Sequence, residues 1–219
     1  MLTRDKYSWS KFQISSAAAA IRDQEISCCT TAIVPYVVSR DSVKRTDTKA
    51  AILRIALELF TQHGYEGTSI RQITTCLGIT PAALYYHFES KEAVLLGIAE
   101  PMLTHSDDLL RLVEPLTLDR RTARIALEGY YDVLATQVEL FRFISNDPLT
   151  RTHPVVGKRF RQLAKVFYGF LDGPDNTIES QIRTAGAVGT IRRSLELRTV
   201  DPVKHRDTII DVAVAILKL

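Results

Sequence analysis

"TSIRQITTCLGITPAALYYHFESKE", residues 68–92, is the stretch on which the fold turns. Ser69 and Gln72 stand at capping-box spacing, and Ile70, Ile73 and Leu77 then point one way, so a short helix is predicted here. Gly78 supplies the left-handed residue a sharp corner needs, and Ile79 plugs that corner. Thr80 caps again, and Pro81 takes the first helical position, where its missing N–H costs nothing. In the second short helix Leu84 and Phe88 are four apart and must face inward. Ala82, Ala83, Tyr85, Tyr86 and His87 are left around the remaining circumference. Two very short helices about a tight corner form a helix-turn-helix, and the second displays an aromatic cluster it is too short to bury.

Working outward, Thr46 or Asp47 is expected to cap a preceding helix whose Ile52, Ile55, Ala56, Leu59 and Phe60 make one apolar stripe, with Gly64 ending it. Ser90 caps a following helix carrying Leu95, Leu96 and Ile98, expected to stop near Pro101. The remainder keeps a helical period, punctuated at Pro115 and at residues 146–148, 173–176 and 201–202. No strand alternation and no internal repeat is present, so the predicted fold is all-α: an N-terminal three-helix helix-turn-helix domain over residues 44–92 and a helical domain over residues 93–219. Residues 1–43 mix an Ala run, a Ser-rich patch and a β-branched tail without sustained period. They read as a disordered extension or as a stretch ahead of the native start.

Composition bounds the class of protein. With 46% hydrophobic and 24% charged residues the chain is an ordinary globular one, and a net charge of +3 permits an anionic partner without demanding one. Cys28 and Cys29 are adjacent and Cys76 is alone, so neither a disulfide framework nor a metal site is indicated. A reducing cytoplasm fits that usage, and no apolar run approaches a membrane span or an export signal. Gly-rich phosphate loops, a nucleophile elbow, HExxH and paired carboxylates are all lacking, so no catalytic residue and no cofactor is assigned.

The second helix of a helix-turn-helix is slim enough for the major groove of duplex DNA, while hydroxyl caps and backbone N–H groups meet phosphates. Exposed tyrosines bring a flat apolar face for sugar and thymine methyl groups and a hydroxyl for phosphate; Ala82 and Ala83 keep the tip small. The run "ILRIALELFTQHGYEGTSIRQITTCLGITPAALYYHFESKEAVL" resembles the tetracycline-repressor (TetR) family of bacterial transcription regulators over roughly a fifth of the chain. Gly64, Gly67, Thr68, Leu77, Gly78, Leu84, Tyr85, His87, Phe88 and Lys91 match together. The resemblance implies that Thr68, Ser69 and Thr80 meet phosphates, that Arg71 reaches a phosphate or a guanine edge, and that Ala82, Ala83, Tyr85 and Tyr86 line the major groove. His87 and Lys91 would approach the DNA backbone. Pro81, Ala82 and Ala83 leave few donors for base edges, which shifts specificity toward thymine methyl contacts and DNA shape.

Alternatives stay open at several of these residues. Tyr85 can pack against the first helix, and His87 can cap the short helix's C-terminus. A purely structural role is a poor reading of Lys91, whose charge opposes the dipole of the helix it begins. Lys44 and Arg45 form either a minor-groove arm or solvated linker charge. Bases and acids nearly balance over residues 44–92, so binding must come from placement, doubled by a second copy.

Beyond residue 93 the aromatics Tyr130, Tyr131, Phe141, Phe143, Phe160, Phe167, Tyr168 and Phe170 point to a roomy apolar interior. Candidate ligand contacts are Tyr130, Tyr131, Gln137, Phe141, Arg142, Asn146 and Phe167. His105, His153 and His205 lack partners at metal spacing and read as surface or core residues. Ile178, Ile182, Ala185 and Gly189 share a side with small residues, and Ile209, Val212 and Ile216 belong to a helix apolar nearly all round, so a partner is expected on both. A four-helix dimer interface is what the family resemblance also implies.

The reading is therefore a homodimeric regulator on a palindromic operator of double-stranded DNA, most simply a repressor released by a small apolar or aromatic effector, in the bacterial cytoplasm and not at a membrane. A dry, packed interior would favour a regulator controlled by a protein partner instead. A helical carrier or enzyme is the third reading.

Overall fold

The computed structural model describes residues 45–219, and the expectations for residues 1–43 and for Lys44 lie outside the described residues. Among the described residues every regular element is a helix. α1 (Arg45–His63) buries Ile52, Ala56, Leu59 and Phe60, the stripe set by its 3.6-residue period. The helix is already formed at Arg45, so Thr46 and Asp47 fall inside its first turn rather than capping it. α2 (Ile70–Leu77) and α3 (Pro81–Tyr85) follow, joined by Gly78 at φ 64°. There the N–H of Ile79 reaches back to Thr74 O at 3.1 Å and the N–H of Gly78 to Thr75 O at 3.2 Å. That reversed pairing needs a left-handed residue, which glycine adopts without a Cβ clash.

α4 (Lys91–Val113) does not stop at Pro101 but runs straight through it. A mid-helix proline forfeits one backbone bond, yet Val94, Leu95, Ile98, Ala99, Met102, Leu103, Leu109 and Val113 are buried on both sides of it. Burial of that face sustains the helix where local propensity would end it. The expected boundary at residues 92 and 93 therefore lies within the first turn of a continuous helix. Gly97 lets α4 lie close to α1, since a Cβ there would sit 3.0 Å from Leu53 Cδ2 and from Phe88 Cε1.

α5 (Arg120–Thr136), capped by Asp119 and Thr122, packs on α4, and α6 (Val138–Asn146) follows after a break at Gln137 that carries neither Gly nor Pro. Hydrogen bonds from Thr122 hold the Asp119 carboxyl below its usual pKa. α7 (Pro148–Thr152) is one short turn, and α8 (Val156–Asp172) crosses back over α4. α9 (Ile178–Glu196) and α10 (Arg206–Leu217) pair with each other, and α10 also lies on α5. Arg206 clamps Asp132 of α5 with two bonds of 3.0 and 2.9 Å. Most buried side chains form one continuous cluster from Ile52 to Leu217, and Ala99, Leu103 and Val156 form a smaller one. Among the described residues no helix is long and apolar enough to cross a membrane.

Candidate nucleic-acid interface and the cavity behind it

The tip of the helix-turn-helix is held by short-range polar bonds. Ser69 Oγ accepts from Gln72 N–H at 3.2 Å and Gln72 Oε1 accepts from Ser69 N–H at 2.7 Å, which is the capping box the spacing predicts. Thr80 Oγ1 accepts from Ala83 N–H at 3.2 Å, with Pro81 next. Leu84 is fully buried and Phe88 nearly so. With those two facing in, Tyr85 and Tyr86 are thrown outward, 51% and 64% exposed. Tyr85 is thus not sealed against α1. Ala82 is exposed beside them, Ala83 and His87 are half-buried, and the Tyr86 and His87 rings meet edge to face at 5.2 Å.

The cations of this region divide clearly. Arg54 pairs with Glu58 at 2.8 Å, and Lys49 lies over the Phe88 ring at 5.6 Å. Arg71 is exposed and its side chain has no partner among the described residues. Arg45 begins α1, but its side chain lies outside what is described.

Two expected phosphate contacts turn inward. Thr68 is 1% exposed, and its hydroxyl donates to Gly64 O at 3.0 Å and Leu59 O at 3.2 Å, closing the α1–α2 corner. Lys91 Nζ donates to Tyr65 O at 2.9 Å and Thr68 O at 3.0 Å and sits 4.3 Å from the centre of the Tyr65 ring. The structural role that looked poor for Lys91 is the one it has. Carbonyl oxygens and a ring face offset the unfavourable dipole at its helix start.

Tyr65 is also a tie to the larger domain. Its N–H donates to Asp147 Oδ2 at 2.8 Å, while Asp147 Oδ1 accepts from Thr150 N–H at 3.0 Å at the corner between α6 and α7. Asp147 is 8% exposed. The Phe60 ring stacks on Phe143 at 5.9 Å and meets Tyr65 edge to face at 5.3 Å. Burial, with Glu92 and Glu66 nearby, raises the Tyr65 phenol's pKa. His153 Nδ1 accepts from Val155 and Val156 N–H at 3.3 Å, which assigns the ring proton to Nε2, 3.3 Å from Glu92 Oε1. His153 is therefore a junction residue between α7 and the start of α4, a role its isolation in sequence did not reveal.

Behind this junction lies a cavity of about 640 Å³. Met102 of α4, Tyr130 and Leu134 of α5, Phe141, Ile144 and Ser145 of α6, and Pro148 and Thr152 of α7 form one side. Gly157, Phe160, Arg161, Leu163, Ala164 and Tyr168 of α8 and Arg192 of α9 form the other. Of the expected ligand contacts, Tyr130 and Phe141 line it. Phe167, fully buried, stacks on Tyr130 at 4.8 Å and supports the wall from behind.

The other four are used elsewhere. Tyr131 donates its hydroxyl to Pro202 O, and burial pushes its pKa up to about 12. Gln137 sits at the α5–α6 break. Arg142 ties α6 to the end of α9 through Leu195 O at 2.9 Å, and Asn146 donates to Arg142 O at 2.8 Å. Phe160, Ala164 and Tyr168, four apart along α8, carried a legible signal for the wall. Nothing in the local sequence around Arg161 or Arg192 did.

On the outer side of α9, Ile178 and Ile182 are 78% and 66% exposed, Ala185 is exposed and Gly189 half-buried. Val212 of α10 is exposed beside half-buried Ile216, whereas Ile209 is buried in its own protomer's core and leaves the expected interface set. A helix with one face on α5 and α9 cannot offer Ile209 outward as well.

Residues 52–98 match the profile of bacterial regulatory proteins of the tetR family. The tetracycline repressor protein class C of Escherichia coli is 45% identical over 56 residues, 26% of each chain. The HTH-type transcriptional repressor AcnR of Corynebacterium diphtheriae is 28% identical over 112 residues, 49% of this chain and 56% of that one. The chain thus spans about a quarter to a half of the length of these curated relatives. A transcriptional regulator of Aquifex aeolicus superposes with a TM-score of 0.58 at 21% identity, over 75% of this chain and 96% of its own, which extends the likeness of fold to the larger domain. Over residues 52–98 the chain is thus similar to the tetR family of bacterial regulatory proteins.

Proposed function

We propose that the protein is a homodimeric transcriptional repressor that binds a palindromic operator and leaves it when a small, largely apolar molecule enters the cavity. The observation that carries the DNA half of this reading is the pair of outward tyrosines on α3, held by a polar-capped corner too small to bury them. Tyr85, Tyr86, Ala82 and Ala83 would enter the major groove; Ser69, Thr80, His87 and Arg71 would meet phosphates or a guanine edge. The curated relatives named above are repressors, which supports the sign of regulation. The exposed apolar face of α9 with Val212 of α10 supports a second copy seated there, which would set two α3 helices about one DNA turn apart.

The effector half rests on the cavity, which side chains leave unfilled and which so favours a small molecule over a protein partner as the regulator. Its wall is also the junction. Ile144, Ser145, Pro148 and Thr152 line it, while Asp147 and His153 on the same stretch hold Tyr65 and Glu92 of the helix-turn-helix domain. Met102 places α4 in the wall as well. A molecule that displaces this corner shifts both ties, at a coupling of about 1–3 kcal/mol. Selecting bound duplexes from random DNA, then challenging the complex with compounds, tests both halves. A failure to enrich any sequence overturns the repressor reading, and release by no compound overturns the effector.

A further inference from the structure

We infer that the effector is an amphipathic anion, an apolar body carrying a carboxylate or similar acidic head that docks against Arg192 and Arg161; this rests on the effector reading above. The cavity's inner wall, with Leu134, Phe141, Ile144, Phe160 and Leu163, asks for hydrocarbon or aromatic bulk. Its charge is one-sided: two guanidinium groups and, among the described lining residues, no carboxylate.

Arg192 is exposed, lies over the Phe141 ring at 5.9 Å, and has no ion-pair partner among the described residues. Glu196, one turn further along α9, pairs with Arg193 at 3.4 Å, and Glu139 of α6 pairs with Arg142 at 2.5 Å. Apolar walls focus the field of Arg192 into the cavity, so a negative head is drawn in and a positive one is turned away.

Tyr130 supplies a second, independent pointer. It lines the cavity, is 6% exposed, and its hydroxyl has no hydrogen-bond partner among the described residues. A phenol that faces a cavity needs an acceptor there for its proton. Burial, followed by the neighbouring Tyr168, raises its pKa, so at neutral pH it remains a donor. A ligand oxygen meets that requirement, and an ammonium does not.

The test is calorimetric titration of the full chain with decanoate, decanol and decylamine, and in parallel with naphthylacetate, naphthylethanol and naphthylethylamine. In each set the acid should bind several-fold tighter than the alcohol and at least about tenfold tighter than the amine. Arg192→Gln, a change at an exposed residue, should narrow the gap between acid and alcohol while leaving the alcohol's affinity unchanged; Arg161→Gln is the second arm, and the two together should close it. Acid and alcohol binding alike, or an amine binding as well as either, would overturn the anionic head and leave the effector reading standing. No heat from any member of either set would overturn both.

Discussion

Two pairs of adjacent tyrosines, Tyr85 with Tyr86 and Tyr130 with Tyr131, meet opposite fates in this chain. On α3, five residues long and packed mainly on α2, only the Leu84 side can be covered, and both phenols stand in solvent. On α5, flanked by α4, α6, α9 and α10, neighbours a hundred degrees apart around the helix are both buried. The difference is one of surroundings, since neither pair differs in chemistry. A helix walled on several sides turns tyrosine into core and cavity lining, and a helix supported on one side leaves it on the surface.

Substitutions at the two pairs should therefore separate stability from binding. The largest effect is expected at Tyr130→Ala, which removes the ring stacked on Phe167 and should cost about 3–5 kcal/mol in urea-unfolding free energy. A loss below about 1 kcal/mol would mean the α5 pair is not core. Next comes the tie between the two regions. Asp147→Ala strips the acceptor from the Tyr65 and Thr150 amides and should cost about 2 kcal/mol, with faster hydrogen exchange at the Tyr65 amide. An unchanged Tyr65 exchange rate would show that the domains are held by other contacts.

Tyr131 sharpens the contrast through pH. Its folded pKa, near 12, lies above the ordinary value of about 10, so the neutral phenol is the form the fold favours. Its contribution is complete below about pH 10 and is lost as pH rises through about 12. Tyr131→Phe should lose about 1 kcal/mol at neutral pH with the bond to Pro202 O, and should show a shallower alkaline decline than the parent chain. Equal alkaline slopes would place that titration elsewhere. The smallest effect on stability belongs to Tyr86→Ala, expected within about 0.5 kcal/mol of the parent, yet it should weaken operator binding about tenfold in a gel-shift series. Unchanged affinity would remove Tyr86 from the contact surface.

Legibility in the sequence followed the range of the forces involved. The capping box at Ser69 and Gln72, the left-handed Gly78, the Thr80 and Pro81 start and the inward Leu84 and Phe88 all depend on bonds or spacings within a few residues, and each stands where the sequence reading put it. Residues whose partners are distant were misread or missed. Lys91 looked like a cation in search of phosphate because its acceptors, Tyr65 O and Thr68 O, lie 26 and 23 residues away. The stop expected at Pro101 fails for the same reason, because burial on both sides of it is a tertiary effect.

By itself, then, the sequence determined the all-helical class and the helix-turn-helix, since caps, turns and 3.6-residue periodicity are set by neighbours along the chain. Only the tertiary structure decided that Asp147 ties to Tyr65, that Tyr130 and Phe141 share a cavity with Arg161 and Arg192, and that Ile209 is core while Ile178 and Ile182 remain outside. Those outcomes depend on which helices lie side by side, and that is settled by burying many apolar faces at once, a sum to which no single segment holds the answer.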